Sequence, residues 1–289
     1  MRNVFSGEFL DDWSDGQLSP VTAIPTHLPT LNRIMRDDGG GRGIAKASGW
    51  LVVVGGSPGF GKSAFVLNLA SAALDASPPE PVSFISLEMS STQLATRLYS
   101  LHSGTALKLL EKGSFCELSW HTTQRHFADL PPVWVPENIV TGWEHILQYV
   151  KKCHAAGCRY FILDHLQCVV LGDDEILHRG IQRVISELRA WAVKSESAIV
   201  ICSQFNRATS SVMETPRSSG LFGGHSIESH ADVICLLDHS RYLREGNLAK
   251  TWCCVTKNRH GPCIEIPVEW NYKTLRLREA HPDEEDLWP

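Results

Sequence analysis

The chain has 289 residues, 43% hydrophobic, 20% charged and 8% aromatic, a composition that excludes disordered, collagenous and fibrous chains. Its 27 Lys and Arg against 32 Asp and Glu leave a net charge of −5. That balance excludes a uniformly basic coat for duplex DNA, so any nucleic-acid contact needs a local basic patch or a ring of subunits around one strand.

The opening MRNVFSGEFLDDW is acidic and lacks an apolar core, so neither a signal nor a transit peptide is expected. DDGGGRG, at Asp37–Gly43, reads as a flexible turn. LVVVGG (Leu51–Gly56) reads as a buried strand and is followed by a helix over Lys62–Ala76. Val82–Glu88 is the next strand and Gln93–Leu101 the next helix; Tyr160–His165 and Ala198–Gln204 are two more strands. Between those two, the spacing of Ile176, Ile181, Val184, Ile185, Leu188 and Trp191 suits an amphipathic helix. Strand–helix alternation predicts an α/β fold with a mostly parallel central sheet and helices on both faces. From Ala231 the runs ADVICLLDH, TWCCVTK, CIEIPVEW and LRLR follow without long helices between them, which predicts an antiparallel C-terminal extension. Asn206–Gly224 and Gly172–Glu175 read as loops. No apolar run reaches about 18 residues, so no helix is expected to span a membrane. The nine cysteines, mostly within apolar runs and without framework spacing, read as reduced thiols. Together these features predict a soluble intracellular protein of a cytosolic-type compartment.

Gly56-Ser57-Pro58-Gly59-Phe60-Gly61-Lys62-Ser63 fits G-x-x-x-x-G-K-[ST] in the required setting, after a strand and at a helix start. The glycines let the backbone wrap around phosphates, and successive N–H groups with the helix N-terminus supply positive potential. Lys62 is expected to hold the β- and γ-phosphates of ATP and Ser63 to bind Mg2+. Hydrolysis needs further groups. Asp164, ending the run YFIL, would stand beside the P-loop at the carboxyl edge of the sheet and hold Mg2+ through water, or else serves as a strand-end cap. Glu88 ends VSFISL in the same way and is either a base for the attacking water or a solvent-facing acid. Gln204, after AIVICS, offers an amide to the γ-phosphate, although a Gln at that position says little by itself. Lys257 and Arg259, at i and i+2 before Gly261-Pro262, project to one side of a turn. They either neutralise γ-phosphate charge as an arginine finger does or form a solvated hairpin tip.

These segments occur in a telling order: the P-loop, SLEMS at Ser86–Ser90 with Gln93 and Arg97, LDHLQ at 163–167, SQFNR at 203–207, SIE at 226–228 with Ala231-Asp232, and KNRHGP at 257–262. That order resembles the RecA-like motor domain of hexameric replicative helicases of the DnaB type, and Asp164-His165-Leu166 looks more like the phage and mitochondrial Twinkle-like branch. The resemblance covers roughly residues 20–278. It implies a RecA-like P-loop NTPase that burns ATP while a homo-oligomeric ring, usually of six subunits, translocates on single-stranded DNA. By position it makes Lys62 and Ser63 the ligands of phosphate and magnesium, Glu88 the catalytic base, Asp164 the Walker B acid and Gln204 the sensor. Lys257 and Arg259 would reach the neighbouring subunit's ATP site. The division that follows is an arm or linker at 1–20, the ATPase domain at 21–278 and an acidic tail at 279–289.

Two departures stand out. No separate helical N-terminal domain, of the kind with which DnaB engages primase, is expected ahead of the motor. The loop before SIE, Leu221-Phe222-Gly223-Gly224-His225, has Phe222 where the family usually carries an arginine. The DNA backbone would then fall to Arg207, Arg217, His225 and the amides of Gly223 and Gly224. These departures keep open a rival reading, a ring- or filament-forming ATP-dependent switch that unwinds nothing. The tail HPDEEDLWP is either solvated or docks on a basic replication partner. Cys153, His154 and Cys158 lack a second half-site, so thiols rather than zinc ligands are expected. Trp120, Trp134 and Trp143 are expected to pack in the core or between subunits.

Overall fold

The computed structural model describes residues 23–35, 42–114, 117–171, 177–206, 217–245 and 248–280, with only the backbone described at 117–120, 177–178 and 239–245. The proposed arm at 1–20, most of the turn at 37–43, most of the acidic tail, the loop at 172–175 and Arg207 lie outside the described residues.

In chain order the elements are β1 (Ala23–Ile24), α1 (Pro29–Ile34), β2 (Ile44–Ala45), β3 (Leu51–Gly56), α2 (Lys62–Leu74), β4 (Val82–Ser86), α3 (Ser91–Ser103), α4 (Leu107–Glu111), α5 (Glu117–Ala128), β5 (Val133–Trp134), α6 (Trp143–Ala155), β6 (Tyr160–Asp164), α7 (Leu177–Lys194), β7 (Ala198–Gln204), α8 (Gly224–His230), β8 (Val233–Glu245), β9 (Leu248–Asn258), β10 (Glu265–Asn271) and β11 (Leu277–Glu279). Strands β3 to β11 form one sheet in the order β11-β10-β9-β8-β3-β7-β6-β4-β5. β3 lies at its middle, parallel to β7 on one side and β8 on the other.

The parallel strands are buried on both faces, so they read as unbroken apolar runs. Their alternation sorts side chains into two cores. Val52, Val54, Tyr160, Ile162, Val200 and Cys202 join α2 and the N-terminal segment on one face. Leu51, Val53, Phe161, Leu163, Ile199 and Ile201 join α6, α7 and α8 on the other. Full burial of an apolar side chain of this size contributes roughly 1.5–3 kcal/mol.

One expectation is corrected. The run ADVICLLDH is not wholly part of an antiparallel extension: β8 pairs parallel with β3 through Val52↔Val233 to Gly55↔Leu236, and only its other edge is antiparallel, to β9. Residues 233–238 of β8 are buried on both faces, so their composition carries no sign of direction. Asp164 ends β6 at the carboxyl edge of the sheet, with β7 between β6 and the P-loop strand β3. Helices α4, α5 and α6 fall in a region to which apolar periodicity assigned no element; α5, ELSWHTTQRHFA, is mostly polar. Trp143 is buried at the start of α6, where its Nε1 donates to Glu187 on α7 at 2.8 Å, and Trp134 packs partly buried against the second core. The described cysteines are free, in line with the reduced-thiol reading. Among the described residues no helix is long and apolar enough to cross a membrane.

At the amino edge of the sheet, the buried Asp232 ties three elements together. Its Oδ2 accepts the Leu51 N–H at 2.8 Å and pairs with Arg189 of α7 at 2.7 Å, while its backbone carbonyl accepts the Arg259 N–H at 2.9 Å. Removing the carboxylate strands the Leu51 amide and leaves the Arg189 guanidinium, which still donates to the Gly49 carbonyl, without its counter-charge. Asp232→Ala is therefore expected to destabilise the chain by about 3 kcal/mol in urea unfolding. A loss below about 1 kcal/mol would show that the pair is dispensable.

Candidate functional site

Past Gly56 the chain turns through residues 57–61 into α2, whose first residue is Lys62. Gly59 and Gly61 both have φ of 80°, a conformation available to glycine at little cost, and the Trp270 ring stands 3.5 Å from where a Cβ of Gly61 would be, an ordinary contact. The turn leaves the first amides of a 13-residue helix facing a cavity, the electropositive arrangement that suits phosphate. Lys62 Nζ donates to the carbonyls of Gly56 and Ser57, both at 2.9 Å, and so lies along the loop. Burial draws its pKa below the usual lysine value, against the opposing pull of Cys202, Asp164 and Glu88.

The cavity, about 420 Å³, brings together Pro58 to Ala64, Glu88, Arg97, Asp164, His165 and Gln204, with Trp270, Asn271, Tyr272 and Leu275 across from the loop. Asp164 is 4% exposed at the end of β6, in register with Ser86 of β4, and its carbonyl accepts the Leu87 N–H at 2.7 Å. Although β7 intervenes, all these strands run the same way, so their carboxyl ends open into one cavity.

Glu88 lies two residues past β4. The Met89 N–H donates to Ser86 Oγ at 2.8 Å, and a capping box between Ser90 and Gln93 starts α3, so the acid is held on a tight turn. Its side chain is 58% exposed and faces the buried His165, whose Nε2 is 3.5 Å from the carboxylate. The Gln204 amide nitrogen abuts the same Nε2, so His165 bridges the expected base and the expected sensor. Burial lowers the His165 pKa, with Asp164 and then Glu88 opposing.

Cys202 sits on the same face of β7 as Gln204, hydrogen-bonded to Asp164, and burial pushes its thiol pKa well up. His165, Cys202, Arg97 and the Trp270–Leu275 turn were not among the expected site residues. His165 and Cys202 were legible, one beside Asp164 and the other two residues before Gln204 on an alternating strand. The Trp270–Leu275 turn gave no local signal.

The remaining expected residues lie elsewhere. Lys257 is in register with Ile234, itself in register with Val53, three residues before Gly56. At about 3.3 Å per residue and about 4.8 Å per strand spacing, Lys257 stands ~10 Å back along the sheet and ~10 Å across from the loop. Its Nζ donates to the Glu228 carbonyl, and Arg259 donates to the Ser229 carbonyl at 2.6 Å while lying 3.9 Å from Asp232. Burial first, and then Arg259, lowers the Lys257 pKa. Neither cation lines the chain's own cavity.

Arg217 and His225 are exposed. Gly223 caps α8 with φ of 79°, where a Cβ would come within 2.9 Å of Ile181; at Gly224 it would come within 2.6 Å of the Ser219 carbonyl. The Gly224 amide already donates to the Leu221 carbonyl at 2.8 Å. Close packing therefore accounts for both glycines, and the Gly224 N–H is committed within the loop. Phe222 packs partly buried against the second core.

The family model for the DnaB-like helicase C terminal domain matches residues 24–279. The replicative DNA helicase DnaB of Leifsonia xyli subsp. xyli is 26% identical over 269 residues, covering 91% of this chain and 57% of that protein. The chain spans about half the length of the curated relatives it matches. Among solved structures, the ATPase domain of G40P superposes with a TM-score of 0.78 at 16% identity, over 97% of this chain and 100% of that one. A DnaB-like replicative helicase, whose structure also describes its interactions with primase, gives 0.79 at 16% identity, over 96% of this chain and 68% of that one. The RecA-like ATPase fold is thus the fold of this chain.

Lys62→Ala removes a charge-assisted donor, and such donors contribute about 1.5–3 kcal/mol. Its Kd for a fluorescent ATP analogue is expected to rise about 10- to 100-fold. An unchanged Kd would remove Lys62 from the nucleotide site.

Proposed function

This chain belongs to the DnaB-like helicase C terminal domain family, and from that premise we propose that it is the ATP-burning motor of a ring-forming replicative DNA helicase. In this reading six copies form a ring around single-stranded DNA. ATP is the substrate, with its phosphates on residues 56–63 and its base against Tyr272 and Leu275, the exposed aromatic and the aliphatic opposite the loop. The Ser63 hydroxyl and the buried Asp164 carboxylate are hard oxygen donors of the kind Mg2+ prefers, Asp164 acting through water. When bound, the ion neutralises charge on the β- and γ-phosphates. Glu88 accepts a proton from the attacking water, and Gln204, braced by His165, contacts the γ-phosphate.

One observation carries the proposal: Lys257 and Arg259 lie at the opposite edge of the sheet from the P-loop of their own chain. Two cations so far from their own cavity can serve phosphate chemistry only in a neighbouring copy. Hydrolysis then changes the seam between subunits, and seam changes move the DNA-facing loops in turn.

The path from nucleotide to those loops begins at β7. The Gln204 carbonyl accepts the Phe222 N–H at 2.8 Å, Ser203 Oγ donates to the Phe222 carbonyl at 3.0 Å, and the Asn206 N–H donates to the Gly220 carbonyl at 2.9 Å. A shift of Gln204 on loss of the γ-phosphate therefore pulls directly on the stretch that carries Arg217 and His225. Those two residues, with Arg207, are the proposed backbone contacts, and Gly223 and Gly224 set the shape of the loop.

Glu88→Gln is expected to keep ATP binding within about twofold while turnover falls about 10²- to 10⁴-fold. Loss of binding in parallel with turnover would make Glu88 structural. Arg259→Ala is expected to bind ATP normally and lose about 10³-fold in DNA-stimulated turnover. Full turnover by wild-type monomers at high dilution would contradict the shared site. On a forked duplex the wild-type ring is expected to displace the strand, and steady ATP turnover without displacement would favour the switch reading instead.

A further inference from the structure

Behind the nucleotide cavity, the far ends of three helices meet in a second polar cluster. Asp75 caps the C-terminus of α2, and His102 and His126 lie in the last turns of α3 and α5. His102 Nδ1 is 3.3 Å from His126 Nε2, and Asp75 Oδ1 is 4.0 Å from the first and 3.9 Å from the second. All three ligand atoms lie within 4.8 Å of one another.

A tetrahedral ion with bonds of about 2.0–2.1 Å has ligand edges of about 3.3–3.4 Å. The imidazole pair already sits at that spacing, and each Asp75 edge must close by about 0.6 Å. The room exists, because the Asp75 and His126 side chains are 40% and 48% exposed while His102 is held at 5%. The exposed side leaves a fourth position to solvent.

The surrounding hydrogen bonds favour this arrangement. Ser71 Oγ lies 3.4 Å from Asp75 Oδ2, 3.1 Å from His102 Nε2 and 3.3 Å from His27 Nε2. The hydroxyl has one proton to give and two lone pairs, so it donates to Asp75 and accepts from both imidazoles. That puts the His102 proton on Nε2 and aims the Nδ1 lone pair at the cluster, the outer-partner arrangement typical of metal-bound histidines. The nearby Arg276 opposes a cation, but its guanidinium donates to the carbonyls of Leu101 and His102 at 2.8 and 3.2 Å.

We propose that Asp75, His102 and His126 bind a divalent transition-metal ion of the zinc class, clasping the ends of α2, α3 and α5. Two imidazoles and one carboxylate suit zinc and its neighbours and not Mg2+, so nucleotide-bound magnesium does not compete. α2 begins at Lys62 and α3 begins three residues after Glu88, so the clasp would set the spacing of the two helices that carry phosphate binding and catalysis. Another His-acid group, Glu88, His165 and Cys168, shares Glu88 and His165 with the nucleotide cavity and differs in having a thiol.

Cobalt(II) titrated into the metal-free full chain tests the proposal. One tight equivalent is expected, with visible bands of tetrahedral nitrogen and oxygen ligation and no thiolate charge transfer. His126→Ala and Asp75→Asn are expected to weaken uptake by roughly tenfold or more, and Cys168→Ala to leave it unchanged. Zinc should raise the Tm of the wild type and not that of His126→Ala. No tight uptake, or uptake and a Tm shift that survive both His126→Ala and Asp75→Asn, would overturn the site.

Discussion

A parallel sheet has two chemically different ends, and this molecule is organised by that difference. β3, β4, β6 and β7 all run the same way, so whatever follows them emerges at one edge. The ends of these four strands bring the phosphate loop, Glu88, Asp164 and Gln204 into a single cavity, although they are far apart in sequence. No long-range side-chain contact is needed to gather them, because strand direction and two apolar cores do so. The same rule excludes Lys257 and Arg259. Lys257 lies in the last residues of β9 and Arg259 just past it, and β9 runs antiparallel to β8 and delivers its end to the opposite edge. In the proposed ring, what the fold separates within one chain would be rejoined between two.

Beneath that cavity, the connections run through β7. Cys202 contacts the Asp164 carboxylate from below, Gln204 abuts His165, and the backbone beyond Gln204 is pinned to the 220–222 stretch. Gln167 reinforces the junction, donating to Ser203 Oγ and to the Gln204 carbonyl at 3.3 and 3.2 Å. One strand end thus carries the proposed sensor and touches both the proposed metal-side acid and the proposed DNA-facing loop. This gives the proposed coupling a physical path that passes through hydrogen bonds a few ångströms long.

The legibility of the sequence followed from burial. β3 and β7 match their predicted limits because doubly buried strands are continuous apolar runs with sharp polar or glycine ends. β4 stops at Ser86, two residues short of the predicted end, because the serine hydroxyl takes the Met89 amide and turns the chain. α2 ends at Leu74 with Asp75 as its cap, so the helical pattern overran it by two residues. The direction of β8 was hidden because burial on both faces erases alternation, and α8 decides it by returning the chain to the amino edge. α5 was hidden because its polar sequence has little apolar periodicity. The Trp270–Leu275 wall and the Asp75, His102 and His126 cluster were hidden for a simpler reason: their partners are distant in sequence, and no spacing rule joins them. The motif residues were legible because each is tied to the end of a legible strand.

The shared seam is tested most directly by mixing two inactive proteins. Lys62→Ala subunits lack a working phosphate loop but carry intact Lys257 and Arg259, whereas Arg259→Ala subunits have the reverse defect. If sites form between copies, mixed rings contain seams with an intact loop on one side and intact cations on the other, and DNA-stimulated ATP turnover should rise well above that of either variant alone. A mixture that co-assembles yet remains as inactive as its components would contradict the account.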